Sequence, residues 1–352
     1  MTNPSSYLFA GSGSKDFKEY LKSKDLTKNK VFILVDSNTK KCCLDKLISD
    51  FTELQNADTV LIRSGEQYKT LETCQTIWKN LTENYAERSD LMINLGGGVV
   101  TDIGGFAASV YKRGIPFCNV PTSLLGMIDA SVGGKTGVDF MGLKNTIGLF
   151  APAEKTFIDI DYLQTLPREQ LNSGYSELLK IALVASKPLW EELQSFEYRD
   201  IVSKPDIIYA AVMLKDTIVK QDPREKNIRK VLNFGHTIGH AIESYSIAHG
   251  KNPLLHGDAV AIGMICETWI SNKVCGLPET IMQEIIDMII ASSGKYKLNI
   301  EKAEVLRMIR NDKKNSSSKI NFTLLNGIGD ACIDQHFSEE LIFEALSYYF
   351  YL

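Results

Sequence analysis

Histidine is scarce in this chain, and basic charge shows no surplus. Thirty-nine Lys and Arg stand against 43 Asp and Glu, a net charge of −4. Nothing therefore draws the whole molecule to nucleic acid or to an anionic membrane, and any anion site must be built locally. No apolar run reaches the length needed to span a bilayer. Met1-Thr2-Asn3-Pro4 lacks the basic-then-apolar pattern of a signal peptide. The seven cysteines show no C-x-x-C spacing. An odd number without an export signal favours reduced thiols in the cytoplasm, the adjacent Cys42-Cys43 included. Repeats and low-complexity tracts are missing too, and Asn315 to Ser318 reads as a polar loop.

What is present divides the chain in two. The first half alternates strand-length apolar runs with helical stretches. Val31–Val35, Thr59–Ile62, Leu91–Leu95 and Phe117–Val120 read as strands, and the spacing from Leu71 to Tyr85 predicts a helix. Such alternation implies a mainly parallel, Rossmann-like α/β sheet whose ligands bind beyond the carboxyl ends of the strands. After Leu166-Pro167-Arg168 amphipathic stretches take over: Arg168–Leu183, Asp206–Lys220, Phe234–Tyr245, Asp258–Val274 and Glu279–Ser292. The expected division is 1–160, an α/β nucleotide-binding domain, and 161–352, a mostly helical one. Ile320 to Leu325 is expected as a lone late strand.

Three motifs carry chemistry. Four of the five histidines lie between positions 236 and 256. His236 and His240, one helical turn apart, share a face and with a third donor make a divalent-metal candidate. Gly96-Gly97-Gly98 lies between a strand and the helix Ile103–Tyr111, where backbone amides and the helix dipole suit a pyrophosphate. The strict G-x-G-x-x-G pattern fails, because Thr101 occupies the third glycine's place. Asp36 also precedes this turn instead of following it by about 20 residues. A structural turn capped by Thr101 or Asp102 is an equal reading. Ser131 to Gly137 is not a P-loop, since Asp129 stands where a glycine is required. Lys135, Lys144, Lys215, Arg224 and Arg229 offer cations for a phosphorylated ligand, although each taken singly reads as a solvated charge.

Taken together, the motifs resemble the 3-dehydroquinate synthase family of sugar-phosphate cyclases. The likeness runs from Asp36 to Lys314 through Gly65–Thr70, Gly96–Asp102, Gly105–Ala108, Tyr111–Gly114, Val120–Leu125, Asp129–Thr136, Leu143–Asn145, Ser173–Lys180, Leu232–Glu243, Leu255–Gly257 and Asp312–Lys314. It implies conversion of 3-deoxy-D-arabino-heptulosonate 7-phosphate to 3-dehydroquinate and phosphate, a shikimate-pathway step towards aromatic amino acids. NAD would be recycled: oxidation at C5, β-elimination of phosphate, return of the hydride, ring opening and intramolecular aldol closure. A divalent metal, zinc or alternatively cobalt, would act as Lewis acid and template.

Carried over position by position, the resemblance implies Glu177, His236 and His256 as metal ligands. His240 becomes a catalytic, phosphate-contacting neighbour and His249 a bystander. The phosphate pocket would comprise Lys135, Asn145, Asn233, His240 and Lys313 or Lys314. Lys215 and Arg229 would hold the substrate carboxylate, the Arg fork giving direction. Glu225 matches the proposed proton acceptor, and Lys180 joins the catalytic group. Arg113 would reach substrate across a homodimer interface. NAD contacts would come from Asp36, Asn38, Glu66, Lys69, Gly97, Gly98, Val99, Asp102, Thr122, Ser123, Asp129, Lys144, Tyr162 and Thr165, Asp129 bordering the substrate as well. Departures are small: Ser37 and Ser123 stand where Thr is usual, and Thr101 where some members have Gly. The alternatives are a cyclase acting on another sugar phosphate, such as 2-deoxy-scyllo-inosose synthase or a sedoheptulose 7-phosphate cyclase, and a metal-dependent alcohol or glycerol dehydrogenase. A non-catalytic binding protein is a third.

Overall fold

The computed structural model describes residues 6–141, 143–250, 252–296, 300–310 and 320–352. They form two compact units, divided between Leu166 and Pro167. The first unit runs β1 (Tyr7–Phe9), α1 (Ser12–Ser23), β2 (Val31–Asp36), α2 (Ser37–Cys42), α3 (Leu44–Asp50), β3 (Asp58–Ile62), α4 (Leu71–Glu83), β4 (Leu91–Gly96), α5 (Gly98–Val110) and β5 (Phe117–Pro121). The strands β6 (Lys135–Phe140), β7 (Leu143–Phe150) and β8 (Lys155–Ile158) follow. Six strands pair in parallel in the order β1-β8-β5-β4-β2-β3. All four expected strands are present. In β2, β4 and β5 the unbroken apolar runs follow from burial on both faces: Val31 to Val35, Leu91 to Gly96 and Phe117 to Pro121 are buried throughout, whereas β3 at the sheet edge leaves Leu61 exposed.

Successive residues of β2 serve opposite faces of the sheet. Phe32 and Leu34 join Ile77 and Leu81 of α4 and Ile103 and Ala107 of α5 in one core. An aromatic cluster closes elsewhere in the unit, where Phe17 stacks on Phe157 at 4.8 Å and Phe51 meets both rings edge-on at 5.0 and 5.2 Å. The strands β6 and β7 form a separate antiparallel hairpin.

Strand order reverses at β2, which pairs with β3 on one side and β4 on the other. A crevice at the carboxyl ends of β2 and β4 is the ligand position of such sheets. Asp36 and Gly96-Gly97-Gly98 end those two strands. The helix after the glycine turn starts at Gly98, earlier than expected. Its cap position is Gly97, with no side-chain cap, so neither Thr101 nor Asp102 caps it. The Thr101 hydroxyl instead donates to the Gly98 carbonyl at 3.1 Å. Close helix–sheet contact is provided one turn later by Gly104, where a Cβ would lie 2.0 Å from Asn94 Oδ1. The role expected of a third glycine has moved along the helix.

The second unit contains α6 (Arg168–Ala185), α7 (Lys187–Leu193), α8 (Pro205–Gln221), α9 (His236–His249), α10 (His256–Val274), α11 (Glu279–Ser293) and α12 (Lys302–Arg310). It ends with β9 (Phe322–Gly327), β10 (Asp330–Gln335) and α13 (Glu339–Tyr351). It is mostly helical, as expected. The late strand is not alone, however: β9 pairs antiparallel with β10, and Asp330–Gln335 lacked a long enough apolar run to announce itself. Asn315 to Ser318 lies outside the described residues. No helix among the described residues is long and apolar enough to cross a membrane.

Candidate active site

In the first unit the expected nucleotide residues gather at the sheet's carboxyl edge. Asp36 Oδ1 accepts the amides of Asn38 and Thr39 at 2.9 and 2.8 Å, starting α2. Thr122 and Ser123 directly follow β5 and are buried. The Thr122 amide donates to the Gly96 carbonyl at 3.0 Å. A Cβ on Gly97 would stand 3.1 Å from Ser123 Oγ, so the chain passes here as bare backbone, with Val99 following in the first turn of α5. Asp129 lies in a single π-helical turn, Gly126–Ala130, closed by the Ser131 amide on the Gly126 carbonyl at 3.1 Å. Such turns recur at functional sites. Tyr162 is buried, whereas Thr165 is exposed.

Beside α5, Lys69 Nζ lies 2.5 Å from Asp102 and donates to Asn145 Oδ1 at 2.7 Å. Burial opposes its charge, but Asp102 and Glu66 outweigh burial and raise its pKa. Lys144 reaches Glu66 at 3.2 Å. Asp139 accepts the Asn145 amide at 2.7 Å, and its own amide donates to the Lys69 carbonyl at 2.8 Å. Asp139 thus ties the β6–β7 hairpin to this charged group. Its sequence carried no sign of that part, because one contact crosses the hairpin and the other reaches far back along the chain to Lys69. Lys135 stands exposed at the start of β6, and Arg113 is exposed on a left-handed backbone, φ 68°.

The second unit assembles a metal-type cluster where three helices touch. Ser173 on α6 accepts the Gly257 amide at 2.9 Å, and a Cβ on Gly257 would lie 1.9 Å from the Ser173 carbonyl oxygen. Only glycine lets α10 come this near α6. The contact sets His256 beside Glu177, one turn along α6 from Ser173. Gly263 on α10 is equally tight, with its hypothetical Cβ 1.9 Å from the Gly235 carbonyl oxygen. One turn further on, buried Glu267 accepts the amides of Gly235 and Ile238 at 2.6 and 3.2 Å. It thereby fixes the start of α9, which presents His236 and His240.

The donor geometry is that of a cation site. Glu177 Oε1 lies 3.5 Å from His236 Nε2 and 3.4 Å from His256 Nε2. A tetrahedral zinc with bonds of about 2.0–2.2 Å separates its ligand atoms by about 3.3–3.6 Å. The residues therefore fit the ion. His236 Nδ1 is 3.0 Å from the Phe234 carbonyl oxygen, which can only accept; Nδ1 carries the proton and Nε2 keeps its lone pair. His256 Nδ1 is held by Glu243 Oε2 at 3.2 Å. Burial opposes a charge on His256, yet Glu243 and Glu177 outweigh it and raise the pKa to about 10. Buried Lys180 pairs with Glu177.

His240 joins the cluster, its ring centre 5.0 Å from that of His236 and 5.7 Å from that of His256. Donor atoms of the three histidines lie within 4.8 Å of one another. The pair read from spacing and the Glu177 set read from resemblance thus converge on one place. His249 stacks on Tyr245 at 4.3 Å, about 13 Å along α9 from His240. Glu243 was passed over in the sequence although its signal was there: His236, His240 and Glu243 follow i, i+4, i+7 spacing on one helical face.

Lys215 and Arg229 are 5% and 2% exposed, so neither is the solvated charge that either could have been. The α8 helix and α6 both contact the turn at residues 228–233. Asn233 donates to Glu225 Oε1 at 2.8 Å. Arg224 is exposed. Lys313 and Lys314 lie outside the described residues.

A parallel sheet with a glycine turn at its switch point, joined to a helical unit bearing a Glu/His donor cluster, defines the fold class of the NAD- and metal-dependent cyclases. Solved relatives share that fold. A 2-deoxy-scyllo-inosose synthase complexed with carbaglucose-6-phosphate, NAD+ and Co2+ superposes with a TM-score of 0.82 at 23% identity, covering 97% of this chain and 95% of its own. The 2-epi-5-epi-valiolone synthase of Streptomyces hygroscopicus, with NAD+ and Zn2+ bound, has a TM-score of 0.82 at 24% identity over 99% and 98%. In sequence, the 3-dehydroquinate synthase of Parabacteroides distasonis is 40% identical over 341 residues, 95% of this chain and 96% of that protein. Family models match in two parts, 3-dehydroquinate synthase N-terminal at residues 59–173 and C-terminal at 174–315. The chain belongs to the 3-dehydroquinate synthase family.

Metal analysis checks the cluster directly. His256→Ala is expected to purify without bound zinc, and His249→Ala with a full complement. Glu243→Gln, which weakens the group orienting His256, should lower zinc affinity about 10- to 100-fold in competition with a chromophoric chelator. A zinc-replete His256→Ala protein contradicts the assignment.

Proposed function

We propose that this chain converts 3-deoxy-D-arabino-heptulosonate 7-phosphate into 3-dehydroquinate and phosphate, in the cytoplasm, with NAD and a divalent metal of the zinc or cobalt kind. The observation that carries the substrate reading is the burial of Arg229 and Lys215, at 2% and 5% exposure, in a family member matched along 95% of its length. A buried planar Arg fork together with a buried Lys suits a carboxylate, which a heptulosonate brings and glucose 6-phosphate and sedoheptulose 7-phosphate lack.

In this reading the α/β domain, 1–160, binds NAD with help from the segment just after it, and 161–352 holds metal and substrate. Asp36 and Asn38 face the ribose, with Glu66 and Lys69, and Gly97, Gly98 and Val99 the pyrophosphate. Asp102, Thr122, Ser123, Asp129, Lys144, Tyr162 and Thr165 complete that site. Glu177, His236 and His256 hold the metal. When bound, NAD supplies a hydride acceptor that ends the cycle unchanged, and the metal supplies a Lewis acid for adjacent hydroxyl oxygens.

The remaining chemistry belongs to side chains. Phe234 and Glu243 fix the ring orientations of His236 and His256. Lys180 balances the charge of Glu177. His240 stands beside the ligands as a proton carrier and phosphate partner, with Asn233, Lys135, Asn145 and a lysine of the 313–314 pair. Glu225, held by Asn233, is placed to take a proton. Arg229 grips the substrate carboxylate with its planar fork, and Lys215 adds charge.

We further propose a homodimer in which Arg113 serves the neighbouring site. Phe140, Met141, Leu143, Leu149 and Phe150 of the β6–β7 hairpin are 41–86% exposed. Large exposed apolar side chains gathered on one hairpin suit an interaction face. Sedimentation should give twice the chain mass, and Met141→Glu with Phe150→Glu should shift the particle towards monomer. A wild-type monomer at micromolar concentration refutes the dimer.

Purified protein with catalytic NAD should release phosphate over many turnovers with no lasting NADH absorbance. Arg229→Ala should lower kcat/KM for the heptulosonate phosphate roughly 30- to several-thousand-fold, the loss of about 2–5 kcal/mol of charge-assisted binding, while retaining NAD and zinc. Stoichiometric NADH accumulation would indicate a dehydrogenase. A wild-type preference for glucose 6-phosphate or sedoheptulose 7-phosphate would assign another cyclase substrate.

A further inference from the structure

The loop between α8 and α9 bears Glu225, Arg229 and Asn233, and one carboxylate gathers it. Asp222 stands at the end of α8, where the carbonyl end of the helix dipole disfavours an acid. It is nonetheless 7% exposed. Its Oδ1 accepts the Lys226 amide at 3.0 Å, and its Oδ2 accepts the amides of Asn227 and Arg229 at 2.6 and 3.3 Å. Its carbonyl accepts the Glu225 amide at 3.2 Å. Three amides on one carboxylate make a set of charge-assisted bonds that outweighs the unfavourable helix end.

These bonds draw the chain into a turn no helix or strand would impose. Glu225 is left-handed, φ 56°, a conformation a non-glycine residue keeps only when its surroundings enforce it. Arg229 is pulled back over the loop, its Nη1 donating to the Pro223 carbonyl at 2.9 Å. The far end is anchored independently: Lys230 Nζ reaches Asp334 at 2.8 Å, and Thr323 donates to the Lys230 carbonyl at 2.9 Å. Removing the Asp222 carboxylate would therefore loosen residues 225–229 and leave the rest of the loop tethered.

We propose that Asp222 is a positioning residue for substrate, one that aims Arg229 by gathering the amides of residues 226–229 without touching substrate itself. This rests on the reading that Arg229 holds the substrate carboxylate. A displaced anchor near a reacting substrate costs up to about 100-fold. A simple loop staple would instead cost the same whether or not Arg229 is present.

The test is a double-mutant cycle on the full-length protein with NAD and zinc, reading phosphate release from the heptulosonate phosphate. Asp222→Ala should lower kcat/KM about 10- to 100-fold, and Asp222→Asn, which keeps one acceptor oxygen, by less. In an Arg229→Ala background Asp222→Ala should add no more than about twofold, and bound zinc should be unchanged throughout. Fully multiplicative losses, or an Asp222→Ala enzyme within about twofold of wild type, overturn the proposal. Should Asp222→Ala fail to fold, Asp222→Asn carries the same cycle. A wild type that releases no phosphate refutes the functional reading and this inference with it; normal wild-type turnover with multiplicative losses refutes the inference alone.

Discussion

The near-contact of helix backbones in the second unit is the constraint on which the rest depends. At Ser173–Gly257 and at Gly235–Gly263 a single added methyl group would sit 1.9 Å from a carbonyl oxygen. Because those crossings are so tight, short side chains can converge: Glu177 from α6, His236 and His240 from α9, His256 from α10. Interiors are close-packed, so a helix pushed out by even one methyl group moves everything it carries. The spacing of 3.4–3.5 Å between Glu177 and the two imidazole nitrogens is a consequence of backbone approach, and the acids Glu243 and Glu267 then fix what that approach has placed.

The first unit solves a different problem. There a carboxylate and an amide, Asp102 and Asn145, meet on buried Lys69, which is 4% exposed. The group joins α5 to a hairpin that is no part of the main sheet. Both units therefore place polar side chains where their neighbours over-determine them, which is how a site keeps its geometry before any ligand arrives.

Much of this was legible in the residues. Strands buried on both faces appear as unbroken apolar runs, which is why β2, β4 and β5 could be read directly. The strands β1 and β8 are three and four residues long, too short to show a pattern, and β6–β7 turns apolar side chains outward. The donor cluster was half legible. Spacing alone pointed to His236 and His240, whereas Glu177 and His256 lie on other helices and needed the motif order of a family to connect them. Glu243 carried a periodic signal. Asp222, Asp139 and Glu267 carried none, since each acts on backbone amides that only the folded chain brings near.

Zinc content and affinity of two variants, Glu177→Gln and His240→Ala, test the central claim most directly. The account predicts that Glu177→Gln, which removes the ligand carried by α6, loses bound zinc. His240→Ala should keep it with affinity within about threefold of wild type, because in this account His240 neither binds the ion nor orients a ligand. Zinc retained by Glu177→Gln and lost by His240→Ala would contradict it and make the three histidines the coordinating set.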